Sequence, residues 1–199
     1  YPEQLEFLAT VDDAEIGATG LSYFPDRQAA VTRFLETAEA VAEFYIENTP
    51  TNGVPFWDTG APGLARLGDY LDKPADPYNS EEPIDSSAAA ICAQGLIRLG
   101  RYLQASGDSG KAARYLQAGL TIADTLFDDP YLATDENHQG ILLHSVYHRP
   151  NGWDQVHAGQ SVPNGEACMW GDYHAVELAL LIKRLADGAP YYTFFGGLE

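Results

Sequence analysis

Apolar residues recur every three or four positions in two long stretches of the chain, with charged residues on the opposite side. In residues 28–47, alanine, valine and phenylalanine occupy one side, and arginine and glutamate occupy the other. In residues 111–127, tyrosine and leucine lie opposite lysine and arginine. This spacing predicts two amphipathic helices. Residues 88–103 are apolar on nearly all sides, which predicts a helix that is buried on both sides. A buried helix joined to a half-buried one by a glycine turn is the repeating unit of an α/α toroid.

A further long helix is predicted near the end of the chain. It begins at Glu166 or Trp170, ends near Ala186, and carries basic residues in its last turn, where they are favourable against the helix dipole. Shorter helices are predicted at residues 3–9 and 64–71. The fold class is therefore all-α, built from paired inner and outer helices.

Two long segments interrupt the helices. Residues 51–84 and 128–167 are rich in proline and glycine, and loops of this length in a compact domain are usually functional or disordered. Within the second segment, residues 140–147 have the composition of a strand, which is predicted to pair with residues 160–162 in one short β-hairpin.

Aromatic and hydrogen-bonding side chains are concentrated in the loop after residue 147 and at the start of the last helix. Aromatic rings can stack on the C–H face of a sugar, while charged and amide side chains hold its hydroxyl and carboxylate groups. A capped helix that follows a polar loop would show the same pattern, so both interpretations remain open at this point. The predicted substrate-binding residues are Trp57, Asp58, His148, Arg149, Trp153 and Asp172.

Four carboxylates are candidates for acid–base chemistry: Asp58, Asp85, Glu166 and Asp172. A glycosidase needs two carboxyl groups about 5 to 10 Å apart, one of them with a raised pKa. Asp85 directly precedes the buried helix and is better explained as its N-cap. Asp172 lies near the start of the last helix, so a capping role is the alternative there too.

The histidines and cysteines do not form a metal-binding motif. Five histidines lie between positions 138 and 174, but their spacing matches neither a helical His pair nor a Cys–His cluster, so hydrogen bonding within a polar loop is the expected role. We predict no metal and no other cofactor. Cys92 and Cys168 lie in apolar helical segments and are expected to be free, buried thiols, which favours a reducing, cytoplasmic location.

Charge narrows the range of partners. The net charge is −18, with 29 acidic residues against 11 basic ones. This excess argues against nucleic acid and anionic membranes as partners, and no apolar stretch approaches the roughly 20 residues of a membrane helix. Only three residues are lysine. Such an acidic, lysine-poor composition predicts a halophilic protein, because concentrated salt screens the self-repulsion.

Four blocks of the sequence resemble the C-terminal part of the unsaturated glucuronyl hydrolases of glycoside hydrolase family 88. They are residues 54–58 (VPFWD), 83–96 (PIDSSAAAICAQGL), 140–147 (GILLHSVY) and 170–179 (WGDYHAVELA), in the family's order. The resemblance implies part of a six-fold α/α barrel. It also implies an enzyme that removes 4,5-unsaturated uronic acid from the oligosaccharides that polysaccharide lyases produce, by hydrating a vinyl ether without a metal.

The family's two catalytic aspartates lie in motifs N-terminal to its Trp–Asp block, and no segment of this chain matches either motif. Asp85 corresponds to a family aspartate at the head of an inner helix. The resemblance therefore implies a chain that supplies pocket wall, contains no catalytic residue and is inactive alone. Some relatives that act on sulfated fragments carry serine and lysine where this chain has residues 148–153, so a sulfated substrate is not expected. A non-catalytic carbohydrate-binding or assembly module of the α/α-barrel type is the alternative.

We expect one domain, residues 1–197, that forms the C-terminal half of a barrel, with residues 1–28 as a poorly defined lead-in. The first residue is not Met, which suggests a start inside a longer product, and Leu198 and Glu199 resemble a cloning remnant. Half a barrel leaves apolar helix faces open. A face of about 1,000 Å² corresponds to about 25 kcal/mol of unrealised burial, so the expected partner is the missing N-terminal half or a second copy of the chain.

Overall fold

Helices dominate the part of the chain that the structure describes. The computed structural model describes residues 2–190, 192–193 and 195, so the expected remnant at residues 198–199 lies outside the described residues. The helices are α1 (Pro2–Leu8), α2 (Asp13–Ala18), α3 (Arg27–Glu47), α4 (Ser86–Ala105), α5 (Ser109–Leu126) and α6 (Met169–Ala186). Within this range, no helix combines the length and the apolar character that crossing a membrane requires.

The four long helices form two layers, with α4 and α6 in one layer and α3 and α5 in the other. The Gln94 side chain on α4 donates to the backbone carbonyl of His174 on α6 at 3.1 Å. In the other layer, Lys111 and Arg114 of α5 form ion pairs with glutamates of α3, both at 2.6 Å. Twelve of the 20 residues of α4 are buried, against six of the 18 residues of α5. The predicted pairing of a buried helix with a half-buried one is confirmed.

Two glycines allow α4 and α5 to pack backbone against side chain. A Cβ atom on Gly119 would lie 2.7 Å from Cγ1 of Ile97 and 2.9 Å from the carbonyl oxygen of Ala93. On Gly100, a Cβ atom would lie 2.7 Å from Cγ of Leu116. Both distances are well inside van der Waals contact, so any larger residue at either position would push the helices apart.

Aspartate side chains fix the starts of four helices. Asp12, Asp26, Asp85 and Asp108 each accept a hydrogen bond from a backbone N–H in the first turn of the helix that follows. Each therefore satisfies an orphan donor at a helix N-terminus. The N-cap predicted for Asp85 is confirmed.

Several short elements differ from the prediction. The predicted helix at residues 64–71 is replaced by two short 3-10 helices, Pro62–Arg66 and Tyr70–Asp72. Helix α2 was not predicted, and it starts with a capping box between Asp12 and Glu15. Within residues 1–28, Glu6 of α1 is buried and pairs with Arg98 of α4 at 2.8 Å.

The predicted β-hairpin between residues 140–147 and 160–162 is wrong. In the described residues, the first segment forms only an isolated bridge between Leu132 and Leu142. His144 then adopts a positive φ of 66°, a left-handed conformation that ends any strand.

Two apolar surfaces remain open. The α3–α4 groove is lined mainly by apolar residues of both helices, among them Ala38, Val41, Ala42, Ile91, Gly95 and Leu99. The α6 stripe consists of Met169, Tyr173, Val176 and Leu180, whose spacing places them on one side of the helix and all of which are exposed. Burial of α4 on all sides is therefore wrong at Ile91, which is 43% exposed.

Candidate functional site

Four aromatic rings meet on the surface near the N-terminus of α6, and we call this group the aromatic shelf. Its members are Tyr147, His148, Trp153 and Trp170. The Tyr147 ring stacks on Trp170, with centroids 5.3 Å apart and planes 23° apart, and the His148 ring lies 4.9 Å from Trp153. Trp153 is 61% exposed. Exposed, mutually packed rings of this kind offer a flat apolar surface for the C–H face of a sugar.

A tight turn positions the outer half of the shelf. The 3-10 helix Arg149–Asn151 ends at Gly152, whose φ of 65° is in the left-handed region that favours glycine. Both carboxylate oxygens of Asp154 accept backbone hydrogen bonds, one from Tyr147 N and one from His148 N. This carboxylate holds the two ends of the turn together, so His148 and Trp153 stay in contact.

A buried polar network ties the inner half of the shelf to α4. The indole N–H of Trp170 donates to Oγ of Ser87 at 3.2 Å, and that hydroxyl donates to Oδ1 of Asp85 at 2.6 Å. The same oxygen accepts from Val146 N at 3.3 Å. Burial raises the pKa of Asp85, and its hydrogen bonds, led by that from Ser87, oppose the shift. The carboxylate thus caps α4 and anchors the loop that carries the shelf.

Trp57 and Asp58 form hydrogen bonds with residues that do not belong to the aromatic shelf. The Trp57 indole N–H donates to Oε2 of Glu82 at 2.8 Å, and Glu82 also accepts from Gly63 N with its other oxygen. Oδ1 of Asp58 accepts from Gly60 N at 2.6 Å, which closes a short turn. These two predicted site residues belong to the loop over residues 51–84, and their polar contacts lie within it.

Asp172 does not cap α6, because the N-cap position is Cys168. Its Oδ1 instead accepts from Ile141 N and Leu142 N, both at 2.9 Å. The carboxylate therefore fixes residues 140–147 against α6. The capping interpretation of Asp172 is wrong, and its predicted contact with substrate stays a prediction.

His144 is buried where three segments of the loops meet. Its ring lies 5.2 Å from Tyr78 and 5.8 Å from Tyr131, and its Nδ1 accepts from Gly165 N at 2.9 Å. Burial lowers the pKa of His144 to about 4, against the opposing charges of Asp129 and Asp76. The ring is therefore neutral at pH 7, and hydrogen bonding within the loops, as predicted for the histidines, is confirmed here.

No group of three or more potential ligands in the described ranges could hold a metal ion. The two cysteines are free, as predicted. Cys168 is buried beside the Asp85 network, and burial raises its pKa. The aromatic shelf and its polar neighbours offer stacking and hydrogen bonding.

Comparison with known proteins shows which family the chain resembles. No family model matches the chain. An unsaturated glucuronyl hydrolase from Formosa agariphila is 31% identical over 148 residues, which cover 73% of this chain, and one from Bacillus sp. strain GL1 is 27% identical over 157 residues, which cover 79%. The chain is similar to unsaturated glucuronyl hydrolases over most of its own length. The predicted resemblance is confirmed.

Solved structures of unsaturated glucuronyl hydrolases share the fold. The crystal structure of the Bacillus sp. GL1 enzyme aligns with a TM-score of 0.56 at 27% identity, over 81% of this chain and 36% of that one. An unsaturated glucuronyl hydrolase specific for heparin aligns with a TM-score of 0.57 over 94% of this chain, and at 23% identity it supports the fold alone. These proteins have an α/α barrel, so the predicted fold class is confirmed, apart from the hairpin.

The chain spans 29% and 35% of the lengths of the two unsaturated glucuronyl hydrolases that it matches in sequence. This partial coverage agrees with the predicted C-terminal part of a barrel.

Only part of the aromatic shelf and its supporting contacts could be predicted from the sequence. His148, Arg149 and Trp153 lie in one turn, as their closeness in sequence implied. Tyr147 and Trp170 were missed as site residues, although each lies in a block shared with the unsaturated glucuronyl hydrolases. The structural roles of Asp154 and His144 had no sequence signal, since a carboxylate or imidazole in a polar loop has many possible partners.

Proposed function

We propose that this chain is the C-terminal section of an unsaturated glucuronyl hydrolase and forms one wall of its substrate pocket. The observation that carries the proposal is the combination of a family-typical barrel section with an exposed aromatic shelf. The substrate is an oligosaccharide that ends in a 4,5-unsaturated uronic acid. The reaction adds a proton to C4 and water to C5 of the unsaturated ring, after which the hemiketal opens.

The contacts of the carboxylates in this chain favour a role in the pocket wall over a role as the proton donor. A general acid must hold a proton and reach the substrate with it. Asp85 is occupied by Ser87, Val146 and the start of α4, while Asp172 holds two backbone N–H groups. Both carboxyl groups are therefore held in structural contacts within this chain rather than presented to a substrate. The proton donor therefore belongs to polypeptide outside this chain.

The open apolar surfaces support the same conclusion. The α3–α4 groove and the α6 stripe expose residues such as Ile91 and Met169 that a closed barrel would bury. In a complete barrel, further helices would pack on both surfaces and close the ring. Large exposed apolar patches on a folded domain commonly mark such interfaces.

Complementation tests the proposal. The chain is mixed with the part of the Bacillus sp. GL1 enzyme that it does not match, and the ultraviolet absorbance of an unsaturated glucuronyl disaccharide is followed. We expect neither part alone to consume the absorbance and the mixture to do so. A Trp153→Ala variant of this chain should raise the KM of the mixture, because a stacking surface for the substrate is lost. Turnover by the chain alone would refute the proposal.

Without the remaining helices, the chain should relieve its open surfaces by self-association. Sedimentation equilibrium should show a dimer or larger species, and Met169→Asp together with Ile91→Asp should shift it toward the monomer. Leu120→Asp, on the exposed side of α5, is the matched control. A well-folded monomer at all concentrations would count against the open-barrel account.

The alternative is a non-catalytic carbohydrate-binding module, and one observation favours it. All four members of the aromatic shelf belong to this chain and contact each other without any further polypeptide. Saturated sugars that bind with the same affinity whether or not the other barrel section is present would support this alternative.

A further inference from the structure

The first turns of α4 and α6 lie against each other, and a glycine allows this close approach. A Cβ atom on Gly171 of α6 would lie 2.8 Å from Oγ of Ser145 and 3.3 Å from Cβ of Ser87 on α4. Both distances are shorter than an ordinary van der Waals contact, so a larger residue would separate the two helix starts. The contact brings Trp170, the residue before Gly171, within hydrogen-bond distance of Ser87.

The Ser87 hydroxyl is committed to one role in this contact. A hydroxyl group has one proton to donate and lone pairs that accept. Ser87 donates its proton to Oδ1 of Asp85 at 2.6 Å, so its lone pairs face the indole N–H of Trp170, at 3.2 Å. The carboxylate therefore makes Ser87 an acceptor for the indole. Ser87 is only 2% exposed, and hydrogen bonds in such a buried chain strengthen one another.

The same carboxylate oxygen also holds the second ring of the stack. Oδ1 of Asp85 accepts from Val146 N at 3.3 Å, and the next residue along the chain is Tyr147. The rings of Tyr147 and Trp170 stack with their centroids 5.3 Å apart. One oxygen atom thus fixes both members of the ring pair, one through the backbone and the other through the Ser87 hydroxyl.

We propose that Ser87 is a positioning residue for sugar binding: together with Asp85 it sets the orientation of Trp170, and through that ring the affinity of the aromatic shelf for a sugar. Ser87 acts through the indole and is itself buried. A stacking surface depends on the alignment of its rings, so a change in ring tilt lowers affinity without unfolding the chain. The inference rests on the proposed function for the role of the shelf as a sugar-binding surface.

Ser86 offers a matched control in the same helical turn. Its side chain is 0% exposed, against 2% for Ser87. Its hydroxyl donates to the carbonyl of Leu143 at 2.7 Å and lies 3.1 Å from Oγ of Ser145, so both contacts are with residues outside the shelf. Alanine at either position removes one buried hydroxyl, and similar losses of stability are expected. Only Ser87→Ala removes the acceptor of the indole N–H.

Nuclear magnetic resonance of the indole N–H groups reads the proposed contact directly. The chain has three tryptophans, and each gives one indole signal that a Trp→Phe variant assigns. In Ser87→Ala, we expect the Trp170 N–H proton to move upfield and to exchange with water about tenfold faster, because its acceptor is lost. The Trp57 N–H, which donates to Glu82 at 2.8 Å, should not change. Ser86→Ala should leave all three signals in place.

Calorimetry with cellobiose as the sugar probe measures the consequence for the shelf. We expect Ser87→Ala to weaken cellobiose binding about five- to tenfold, and Ser86→Ala to change it less than about twofold. Trp170→Phe keeps a ring but removes the donor, and it should weaken binding at least as much as Ser87→Ala. In the Trp170→Phe chain, Ser87→Ala should then cause no further loss, because two residues that act through one contact are not additive.

Equal losses of cellobiose affinity in the two serine variants would overturn the proposal. So would an unchanged Trp170 signal in Ser87→Ala, full affinity in Trp170→Phe, additive losses in the double variant, or no binding by the unchanged chain up to about 50 mM cellobiose. The Trp170→Phe result decides the matter if Ser87→Ala does not fold. The proposed function fails separately. Missing turnover in the complementation mixture would leave these affinities untouched, whereas turnover without a Ser87 effect would refute this inference alone.

Discussion

The α4–α5 interface and the aromatic shelf are held by opposite kinds of interaction. Between the helices, Gly119 lies against the buried Ile97 with no room for one more methyl group. At the shelf, exposed rings are positioned by buried or engaged carboxylates, Asp85 and Asp154. Packing thus fixes the scaffold, while a few hydrogen bonds fix the site. The two regions should respond differently to substitution, pH and salt.

The largest expected effect is on the packed region. Ile97 is fully buried, so Ile97→Ala should lower the free energy of unfolding by about 2–5 kcal/mol, through lost transfer energy and a cavity. Leu120→Ala, on the exposed side of α5, should cost well under half as much. Urea denaturation of both variants measures the difference. Equal losses would contradict the tight α4–α5 contact.

Removal of the Asp172 carboxylate, which holds residues 141–142 against α6, should have the next largest effect on stability. Asp172→Ala leaves the N–H groups of Ile141 and Leu142 without their acceptor, which should cost about 2–3 kcal/mol. Asp187→Ala, at the exposed end of α6, is the control. Amide hydrogen exchange should rise at residues 141–142 in the first variant only. Unchanged exchange there would show that the Asp172 carboxylate does not hold this segment.

His144 should make the loops sensitive to acid. Its pKa is lowered to about 4 in the folded chain, so the unfolded chain binds a proton first as the pH falls below about 6.5. Folded stability is therefore lost between about pH 6.5 and pH 4, by roughly 1–2 kcal/mol after allowance for solvent screening. His144→Gln should flatten this part of the pH profile in thermal unfolding. An identical profile in the variant would mean that other groups cause the acid loss.

Salt should have the smallest effect on folded stability. We expect salt to stabilise this chain, whereas it weakens a fold that depends on surface ion pairs. Raising the salt concentration from about 0.1 M to about 2 M should increase the melting temperature because it screens the repulsion among 29 acidic residues. Scans in a chloride series at fixed pH measure the trend. A melting temperature that does not change with salt concentration would contradict the prediction that the protein is halophilic.

The helical scaffold could be predicted from sequence because its signal is local. The periodicity of residues 28–47 and the Asp85 cap each depend on neighbours within one or two turns, and both were confirmed. The site depends on contacts between distant residues. Asp172 reaches back 31 positions to Ile141, and Asp85 reaches 61 positions forward to Val146. No local pattern encodes such contacts, and the same lack of local signal turned residues 140–147 into a false strand.

In the proposed function, this chain is a barrel section whose chemistry lies on other polypeptide. The most direct test is a titration of a fixed amount of the complementary Bacillus sp. GL1 section with this chain, while the loss of unsaturated uronide absorbance is recorded. We expect no turnover without this chain or without its complement, and activity that saturates at a one-to-one ratio. Turnover by this chain alone, at a rate independent of the added section, would contradict it.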